Sequence, residues 1–355
     1  MKSNKLKVLG LAVITLFSSC SNDEDDVVMP KGDYEDGIII SHEGNFGQGN
    51  ASISFVSDDF LTVENNVFSN VNSTLLGDTA QSMAFSDELA YVVLNVSNKI
   101  EVVNRYTFES VATINTGLVN PRYMAISNGI GYVTNWGDGG DATDDYIAVI
   151  DLATNTIINT ISVDEGPERI IEDDNQLFVS HKGGWSVNNI VSVIDAETNE
   201  VETITVDDVP DEMIINDEGN LVVLCEGATQ YDASWNVTGH TDGSIVKIDV
   251  SDNSIISTLS FNEEIYPSLM AYSDGEIFYQ AGGAIYSLLD GATSLPTTSI
   301  ISDSFYGMSV DNDMFYGVKT DFFAGTGELL IYDLTSNSLN ATETLNVGAS
   351  KIYFN

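Results

Sequence analysis

The residues best suited to recognition chemistry are large aromatic and imidazole side chains in glycine-rich stretches between short apolar runs. All three Trp and all three His belong to this group. Such side chains offer stacking surface and do not follow an alternating strand pattern. We expect them to form a ligand-binding face, although any single one could instead pack beneath its own loop. The aromatic candidates are Phe46, Trp136, Tyr146, Trp185, Tyr231, Trp235, Phe322 and Phe323, and the histidines are His42, His181 and His240.

A second group of candidates is polar and begins successive apolar runs that resemble one another. Arg122 is distinctive because only 12 Lys and Arg accompany 54 Asp and Glu in the chain. It could bind an anionic group of a ligand, but an ion pair with Glu168 of the next run is the favoured interpretation. Gln81 and Arg122 join the ligand-binding candidates, and Asp211 and Tyr306 are expected beside them.

Metal-binding and catalytic patterns are weak. Residues 138–145 contain four Asp that could supply oxygen ligands to calcium. They lack the spacing and the final Glu of a helix-loop-helix site, so an exposed acidic loop is favoured. The three His lack the short spacing of a transition-metal site. Neither a Gly-x-Ser-x-Gly motif nor a Cys/His pair at a known spacing occurs, so we expect a ligand-binding protein without a cofactor rather than an enzyme.

A repeated unit of four strands must position these candidates. Each unit begins with a short apolar run, then has a tight turn rich in Asn, Asp and Gly, and a second strand. A third strand ends in Asp-x-x-[Thr/Ser/Asp]-Asn, and a fourth follows it. The units recur at periods of about 38–57 residues, which is typical of β-propeller blades. The clearest first strands are Pro121 to Ile126, Pro167 to Ile171, Pro210 to Ile215 and Pro267 to Tyr272.

Seven blades are predicted from the apolar anchors of the first strands. Residues 37–41 form a second strand with no first strand before it, and residues 349–355 form a first strand with nothing after it. Pairing of these two segments would close the ring and remove exposed sheet edges. The sequence therefore predicts an all-β, seven-bladed β-propeller over residues 37–355. The seven anchors are Met83, Met124, Ile170, Met213, Met270, Met308 and Ile352.

The first 36 residues are expected to lie outside the propeller. Three Lys, an apolar run from Val8 to Phe17 and two Ser indicate a secretion signal over residues 1–19, too short to span a bilayer. Cys20 follows directly, which resembles the lipobox of bacterial lipoproteins and implies that Cys20 is lipidated. An ordinary signal with an incidental Cys is the alternative. Residues 20–36 are predicted to be an acidic linker, and its start resembles the surface-export signal of Bacteroidetes lipoproteins.

The charge excludes several classes of partner. Three of the 12 basic residues lie in the predicted signal, so 54 acidic and 9 basic residues remain, a formal charge of −45. Such a field repels nucleic acid and phosphate ligands. With Cys20 lipidated, Cys225 has no partner, and no disulfide is expected to stabilise the fold.

Four stretches carry a resemblance to known families. Tyr132-Val133-Thr134-Asn135 is similar to the motif of the YVTN-repeat, YncE-like propellers. Residues 37–47, with residues 72–78 and 98–103, resemble Bacteroidetes surface lipoproteins of the BtuG cobalamin-binding group. The resemblance covers nearly the whole chain beyond the linker.

The resemblance implies a surface-exposed lipoprotein of the outer membrane. Such a protein would capture cobalamin (vitamin B12) or a related corrinoid and deliver it to a TonB-dependent transporter. Two other functions stay open. One is a protein-interaction or adhesion scaffold of the cell envelope, and the other is a lactonase-like hydrolase, since lactonases are related to this repeat family.

Overall fold

The described part of the protein is a ring of seven antiparallel sheets. The computed structural model describes residues 31–262 and 265–355, so the predicted signal and Cys20 lie outside the described residues. One strand of each sheet lies at the centre of the ring, and these inner strands contact one another in order around it. The predicted all-β, seven-bladed propeller is confirmed.

The blades are numbered from the one that contains the first strand. Blade 1 contains β1 (Gly37–His42), β2 (Ser52–Ser57), β3 (Val63–Glu64) and β29 (Ala349–Phe354). Blade 2 contains β4 (Ala80–Ser86), β5 (Leu89–Leu94), β6 (Lys99–Asn104) and β7 (Ser110–Ile114). Blade 3 contains β8 (Pro121–Ser127), β9 (Ile130–Asn135), β10 (Tyr146–Asp151) and β11 (Thr156–Ser162). Blade 4 contains β12 (Pro167–Asp173), β13 (Gln176–His181), β14 (Ile190–Asp195) and β15 (Val201–Thr205).

Blades 5 to 7 complete the ring. Blade 5 contains β16 (Pro210–Ile215), β17 (Asn220–Cys225), β20 (Ser244–Asp249) and β21 (Ser254–Ser260). A separate hairpin, β18 (Thr229–Tyr231) and β19 (Val237–His240), projects between β17 and β20. Blade 6 contains β22 (Ser268–Ser273), β23 (Glu276–Ala281) and β24 (Ala284–Leu289). Blade 7 contains β25 (Gly307–Asp311), β26 (Met314–Asp321), β27 (Thr326–Asp333) and β28 (Ser338–Asn346), and a short helix, α1 (Val67–Asn72), lies between blades 1 and 2.

The repeated Asp-to-Asn turn works as its residue types predict. In blade 4 the Asp195 carboxylate accepts the backbone N–H groups of Glu197 and Thr198 at 2.9 and 2.7 Å. Asn199 then adopts a positive φ of 61°, which Asn tolerates better than most residues. Asn155, with a φ of 52°, repeats this geometry in blade 3. The turns between third and fourth strands are therefore specified locally.

A β-bulge at the start of several inner strands directs polar side chains toward the centre. In blade 3, Arg122 and Tyr123 both lie opposite Thr134 of β9. The Thr134 hydroxyl accepts the N–H of Tyr123 at 2.9 Å and donates to the carbonyl of Glu168 in blade 4 at 2.8 Å. Ser180 makes the equivalent pair of bonds between blades 4 and 5. These hydroxyls fix the bulges and link neighbouring blades.

Closure of the ring also follows the prediction. β29 pairs antiparallel with β1, with Ile352 opposite Ile40. The Tyr353 hydroxyl accepts the N–H of Met83 in blade 2 at 2.8 Å, so the last strand is bonded to blade 2 as well as to β1. The apolar cores lie between adjacent blades. Met124, for example, packs with Tyr91 of blade 2 in one such core.

Four features depart from the predicted pattern. Within the described residues blade 6 has three strands, because the chain leaves β24 along an irregular segment containing Pro296 and returns only at an Ile285–Ile301 bridge. The hairpin β18–β19 and helix α1 were not predicted. In the predicted linker, Tyr34 is buried edge-on against Phe55 and Phe108. The packed body therefore includes residues before position 37.

Within the described ranges, no helix has the length and apolar character that crossing a membrane requires.

Candidate functional site

One face of the ring carries two sets of mostly polar residues that contact each other. The first set begins the inner strands and includes Gln81, Arg122, Glu168 and Asp211, as predicted. The second set follows the second strands directly, where Trp136 follows β9, Lys182 follows β13 and Glu226 follows β17. With the neighbouring bulge residues they form what we call the central polar cluster. Its members are Gln81, Arg122, Glu168, Arg169, Lys182, Asp211, Glu212, Glu226 and Lys351.

Arg122 forms the predicted ion pair. Its Nε and Nη2 donate to the two carboxylate oxygens of Glu168 at 2.9 and 2.7 Å, and its Nη1 donates to Gln81 Oε1 at 2.9 Å. The guanidinium stacks on the Trp136 ring at 4.1 Å, and the Trp136 Nε1 donates to the carbonyl of Pro167 at 3.0 Å. The structure thus brings Gln81, Arg122 and Trp136 together, and Arg122 acts as a structural bridge between blades.

The neighbouring ion pairs were missed from the sequence. Arg169 Nε donates to Asp211 Oδ1 at 3.0 Å, and its Nη2 donates to Glu212. Lys182 Nζ donates to Asp211 Oδ2 at 2.8 Å and to Glu226 Oε1 at 3.1 Å. Although burial favours the neutral acid, Lys182 and Arg169 hold the pKa of Asp211 well below its usual range. Burial dominates at Glu226 and raises its pKa to about 7.

Beside this cluster, the loops of blades 1 and 7 enclose an open cavity of about 950 Å³, which we call the aromatic cavity. Phe46 and Phe322, both predicted, line it with Tyr306. Tyr306 meets Phe322 edge-on, with ring centroids 5.6 Å apart, and its hydroxyl donates to Glu43 Oε2 at 2.8 Å. The remaining lining is polar and comes from Gly44, Asn45, Gln48, Asn50 and Thr79.

The loop that carries Phe46 is held by its own polar residues. Asp78 accepts the N–H groups of Gly47 and Gly49 at 3.3 and 2.9 Å. Asn45 donates its side-chain amide to the carbonyl of Phe322 at 3.1 Å, which joins the two loops across the cavity. Phe46 itself is 80% exposed, so its ring projects from a fixed loop into solvent. The cavity is therefore formed before any ligand arrives.

The other predicted aromatics lie elsewhere. Trp185 and Trp235 are 86% and 82% exposed on the loops that follow β13 and β17, which do not line the aromatic cavity and which we call the outer loops. Trp235 lies 6.0 Å from the ring of Tyr231 at the tip of the hairpin β18–β19. Tyr146 is half-buried against the core between blades 2 and 3, and its hydroxyl donates to the carbonyl of Gly117 at 3.0 Å. The predicted set is thus divided between the cluster, the cavity, the outer loops and a core position.

The expectation that every histidine contributes to the exposed face is wrong for His42 and His181. Both are the last residues of second strands and are fully buried. His181 Nδ1 lies 3.2 Å from the carbonyl of Glu165, and its Nε2 lies 2.9 Å from Ser192 Oγ. Because a carbonyl only accepts, the proton is on Nδ1 and Nε2 accepts from Ser192. Burial lowers the pKa of each ring to about 4.

We expect the cost of replacing His181 by Asn to be smaller at pH 5.5 than at pH 8, by about 1 kcal/mol. The folded chain keeps the ring neutral down to a pKa of about 4, whereas the unfolded ring takes up a proton near pH 6.5. The stability that the neutral ring provides is therefore complete above pH 6.5 and decreases as the pH falls toward 4. Denaturant unfolding of the unaltered protein and of His181→Asn at the two pH values measures this difference.

The comparison must be made as a difference between the two chains. Asp145 and Glu226, whose pKa values burial raises to about 7, change stability in the opposite direction over the same pH range. Both groups are present in each chain, so their contribution cancels. A difference that does not change between pH 5.5 and 8 would contradict the buried neutral ring.

Three of the four carboxylates in the acidic loop at residues 138–145 accept hydrogen bonds from within the loop, whereas Asp145 accepts the N–H of Gly166 at 3.0 Å. Asp144 accepts the N–H of Asp138 at 3.0 Å, and Asp141 accepts the N–H of Thr143 at 3.0 Å. Across residues 31–262 and 265–355, no group of three or more His, Cys, Asp or Glu is placed to hold a metal ion.

Comparison with solved structures shows the fold. The computationally designed Ika8 protein has a TM-score of 0.59 and 12% identity, over 91% of this chain and 92% of that chain. The dihydro-heme d1 dehydrogenase NirN in complex with DHE has a TM-score of 0.55 and 12% identity, over 91% and 76%. Kuenenia stuttgartiensis hydrazine synthase has a TM-score of 0.52 and 16% identity, over 74% and 85%.

Sequence comparison identifies the family. No curated protein matches the sequence. A family described as "Domain of unknown function (DUF5074)" matches residues 36–349, which is almost all of the propeller. The chain therefore belongs to the DUF5074 family and folds as a seven-bladed β-propeller.

Proposed function

We propose that this protein captures a bulky organic ligand in the aromatic cavity, and that the ligand is cobalamin or a related corrinoid. The observation that carries the proposal is the cavity itself, about 950 Å³ in volume, with Phe46, Tyr306 and Phe322 in its walls. A volume of this size is at the upper end of small-molecule sites. The choice of a corrinoid rests on the resemblance of residues 37–47, 72–78 and 98–103 to the cobalamin-binding group.

The chemistry of the cavity supports a ligand with flat apolar surface and amide groups. Phe46 and Phe322 offer ring faces and edges for stacking. Asn45, Gln48 and Asn50 offer both donors and acceptors, which match carboxamide groups. Within the described residues the lining contains Glu43 but no Lys or Arg. The cavity therefore favours a neutral or amide-bearing ligand over a polyanion.

The preorganised loop supports tight binding. The bonds from Gly47 and Gly49 to Asp78 hold Phe46 in place before binding, which lowers the entropy lost when a ligand binds. We propose a binding protein without enzymatic activity. In the proposed setting, a lipid at Cys20 holds it on the outer surface of the outer membrane, and the captured ligand passes to a TonB-dependent transporter.

Titration with cyanocobalamin, followed by calorimetry, tests the proposal. We expect saturable binding at micromolar concentrations and at least about tenfold weaker binding when Phe46 and Phe322 are both replaced by Ala, a loss of about 1.4 kcal/mol or more. Trp235→Ala is the matched control, because Trp235 is equally exposed but lies outside the cavity. Absence of binding by the unaltered protein would sink the corrinoid proposal.

A second candidate function is a protein-interaction scaffold, favoured by the exposed rings of Trp185, Tyr231 and Trp235 on the outer loops. This function predicts that Trp185→Ala together with Trp235→Ala removes co-purification with an envelope protein. The same pair of substitutions would leave cyanocobalamin binding unchanged if capture occurs in the aromatic cavity. The two functions therefore respond to different substitutions.

A further inference from the structure

The central channel contains a second cavity, of about 280 Å³, which shares no residue with the aromatic cavity and which we call the channel cavity. Tyr123 and Arg169, which follow Arg122 and Glu168 on their inner strands, line this cavity. The channel cavity therefore lies further along the inner strands than the Arg122–Glu168 pair. Its polar lining includes Arg169, Glu212 and Lys351. The channel cavity thus combines charged groups with the apolar anchors of the blades.

Lys351 lacks a full set of partners in this cavity. Its ammonium is 3.9 Å from Glu212 Oε1, and among residues 31–262 and 265–355 no acceptor lies within hydrogen-bonding distance of its Nζ. The side chain is only 18% exposed. Burial and the nearby Arg169 lower the pKa of Lys351. Its Nζ also lies 5.9 Å from the centre of the Tyr123 ring. A buried ammonium without a hydrogen-bond acceptor among the described residues is costly, so an anion bound here would stabilise it.

Three other residues that line the cavity also carry donor groups. Arg169 uses Nε and Nη2 for Asp211 and Glu212, and its Nη1 has no acceptor among the described residues. The hydroxyl of Tyr353 accepts the N–H of Met83 at 2.8 Å, and that of Tyr123 accepts Gln81 Nε2 at 3.3 Å. Both hydroxyls keep a proton to donate. Burial raises both tyrosine pKa values, that of Tyr353 to about 12, so these donors persist at physiological pH.

The apolar part of the lining suits a hydrocarbon group. Methionine side chains adapt to irregular ligands because they are unbranched and polarizable. A volume of about 280 Å³ corresponds to about nine water molecules at about 30 Å³ each, or to a ligand of about ten heavy atoms. Five methionines from five blades line the cavity, namely Met83, Met124, Met213, Met270 and Met308.

We propose that the channel cavity binds a monocarboxylate with a short apolar body. The carboxylate accepts from Lys351, from Arg169 Nη1 and from the hydroxyls of Tyr123 and Tyr353, while the hydrocarbon lies among the methionines. Glu212 opposes an incoming anion, but Arg169 and Lys351 leave the charged lining with one net positive charge. Four of the nine basic residues beyond the predicted signal, Arg122, Arg169, Lys182 and Lys351, are concentrated in this central region of a strongly acidic protein.

Calorimetric titration with octanoate tests the site. We expect saturable binding by the unaltered protein, at least about tenfold weaker binding by Lys351→Met, and recovery of binding by Lys351→Arg. Lys319→Met is the matched control, because Lys319 forms an ion pair with Asp303 outside the channel cavity. Octylammonium, which has the same chain length and the opposite charge, should not bind.

Thermal unfolding separates loss of the site from loss of the fold. Lys351→Met should keep or raise the unfolding temperature, since it removes an incompletely paired buried charge. Octanoate should raise the unfolding temperature of the unaltered protein and not that of Lys351→Met. Equal octanoate affinity in both chains, equal binding of octylammonium, or no binding up to about 10 mM would each overturn the proposal.

The test is independent of the aromatic cavity. Replacing Phe46 and Phe322 by Ala should leave octanoate binding unchanged, because neither residue lines the channel cavity. Failure of cyanocobalamin to bind would likewise leave the octanoate result standing. A parallel loss of octanoate binding in Phe46→Ala with Phe322→Ala would contradict a separate site.

Discussion

A chain that stops at Gly348 is expected not to fold into a stable monomer. Without β29, one edge of β1 loses its ladder from Ile38 to His42. The loss also removes the buried Ile352 and the hydroxyl of Tyr353 that accepts the N–H of Met83. An unpaired central edge beside an exposed core favours association with other chains. Circular dichroism during heating and size-exclusion chromatography should show a lost cooperative transition and larger species.

Complementation provides the control for this truncation. A synthetic peptide of residues 349–355 should restore a cooperative transition when added to the truncated chain, because it supplies the missing strand and its side chains. The same peptide with Ile352 replaced by Asp should not, since Ile352 is buried between blades 1 and 7. A truncated chain that stays monomeric with an unchanged unfolding temperature would show that β29 is dispensable.

Replacing Gly307 by Ala is expected to destabilise the protein by about 3 kcal/mol or more. A Cβ at Gly307 would lie 1.7 Å from the carbonyl oxygen of Ser350 and 2.7 Å from its carbonyl carbon. These are backbone atoms of the closing strand, so relief requires that blades 7 and 1 move apart. Denaturant unfolding of the two chains measures the cost.

Gly291→Ala is the matched control for this substitution. Nothing lies within 4 Å of a Cβ at Gly291, and its backbone is outside the left-handed region. The change should be nearly neutral or slightly stabilising through the unfolded state. Similar unfolding free energies for the two variants would mean that the blades can separate freely at Gly307.

The features that the sequence predicted depend on the chemistry of a single turn or on equivalent positions in adjacent blades. The positive φ of Asn155 and Asn199 follows from their own turn. The Arg122–Glu168 pair was predicted because both residues begin inner strands, and a ring brings equivalent positions of adjacent blades together. In a repeat protein, equivalent positions in successive repeats therefore predict contacts between residues that are far apart in the chain.

Features that depend on exact strand ends were not predictable. His181 lies one residue before Lys182, yet His181 is fully buried within β13 and Lys182 joins the central polar cluster. Alternation of apolar residues does not locate the end of a strand to one residue. Equivalence of the positions of Trp136, Lys182 and Glu226 can be recognised only when the ends of β9, β13 and β17 are known.

The sequence also did not predict how far each aromatic residue lies from the central channel. The aromatic residues were assigned to one face, but distance from the channel depends on loop length and loop path. Phe46 and Phe322 lie on adjoining loops that meet at a cavity. Trp235 instead lies at the tip of a hairpin that the sequence did not reveal. The sequence repeat also predicts a fourth strand in blade 6, but within the described residues the chain after β24 follows an irregular segment containing Pro296.

The pairing of β1 with β29 also bears on the order in which the ring forms. Most strands pair with the next strand in sequence, so each blade closes short loops at little entropic cost. Ile40 and Ile352, by contrast, meet across almost the full length of the chain. Contacts of such separation slow folding, because much chain entropy is lost before they form. We therefore expect the other blades to form first. Pairing of β29 with β1, which completes blade 1 and closes the ring, is then expected to be the slow step of folding.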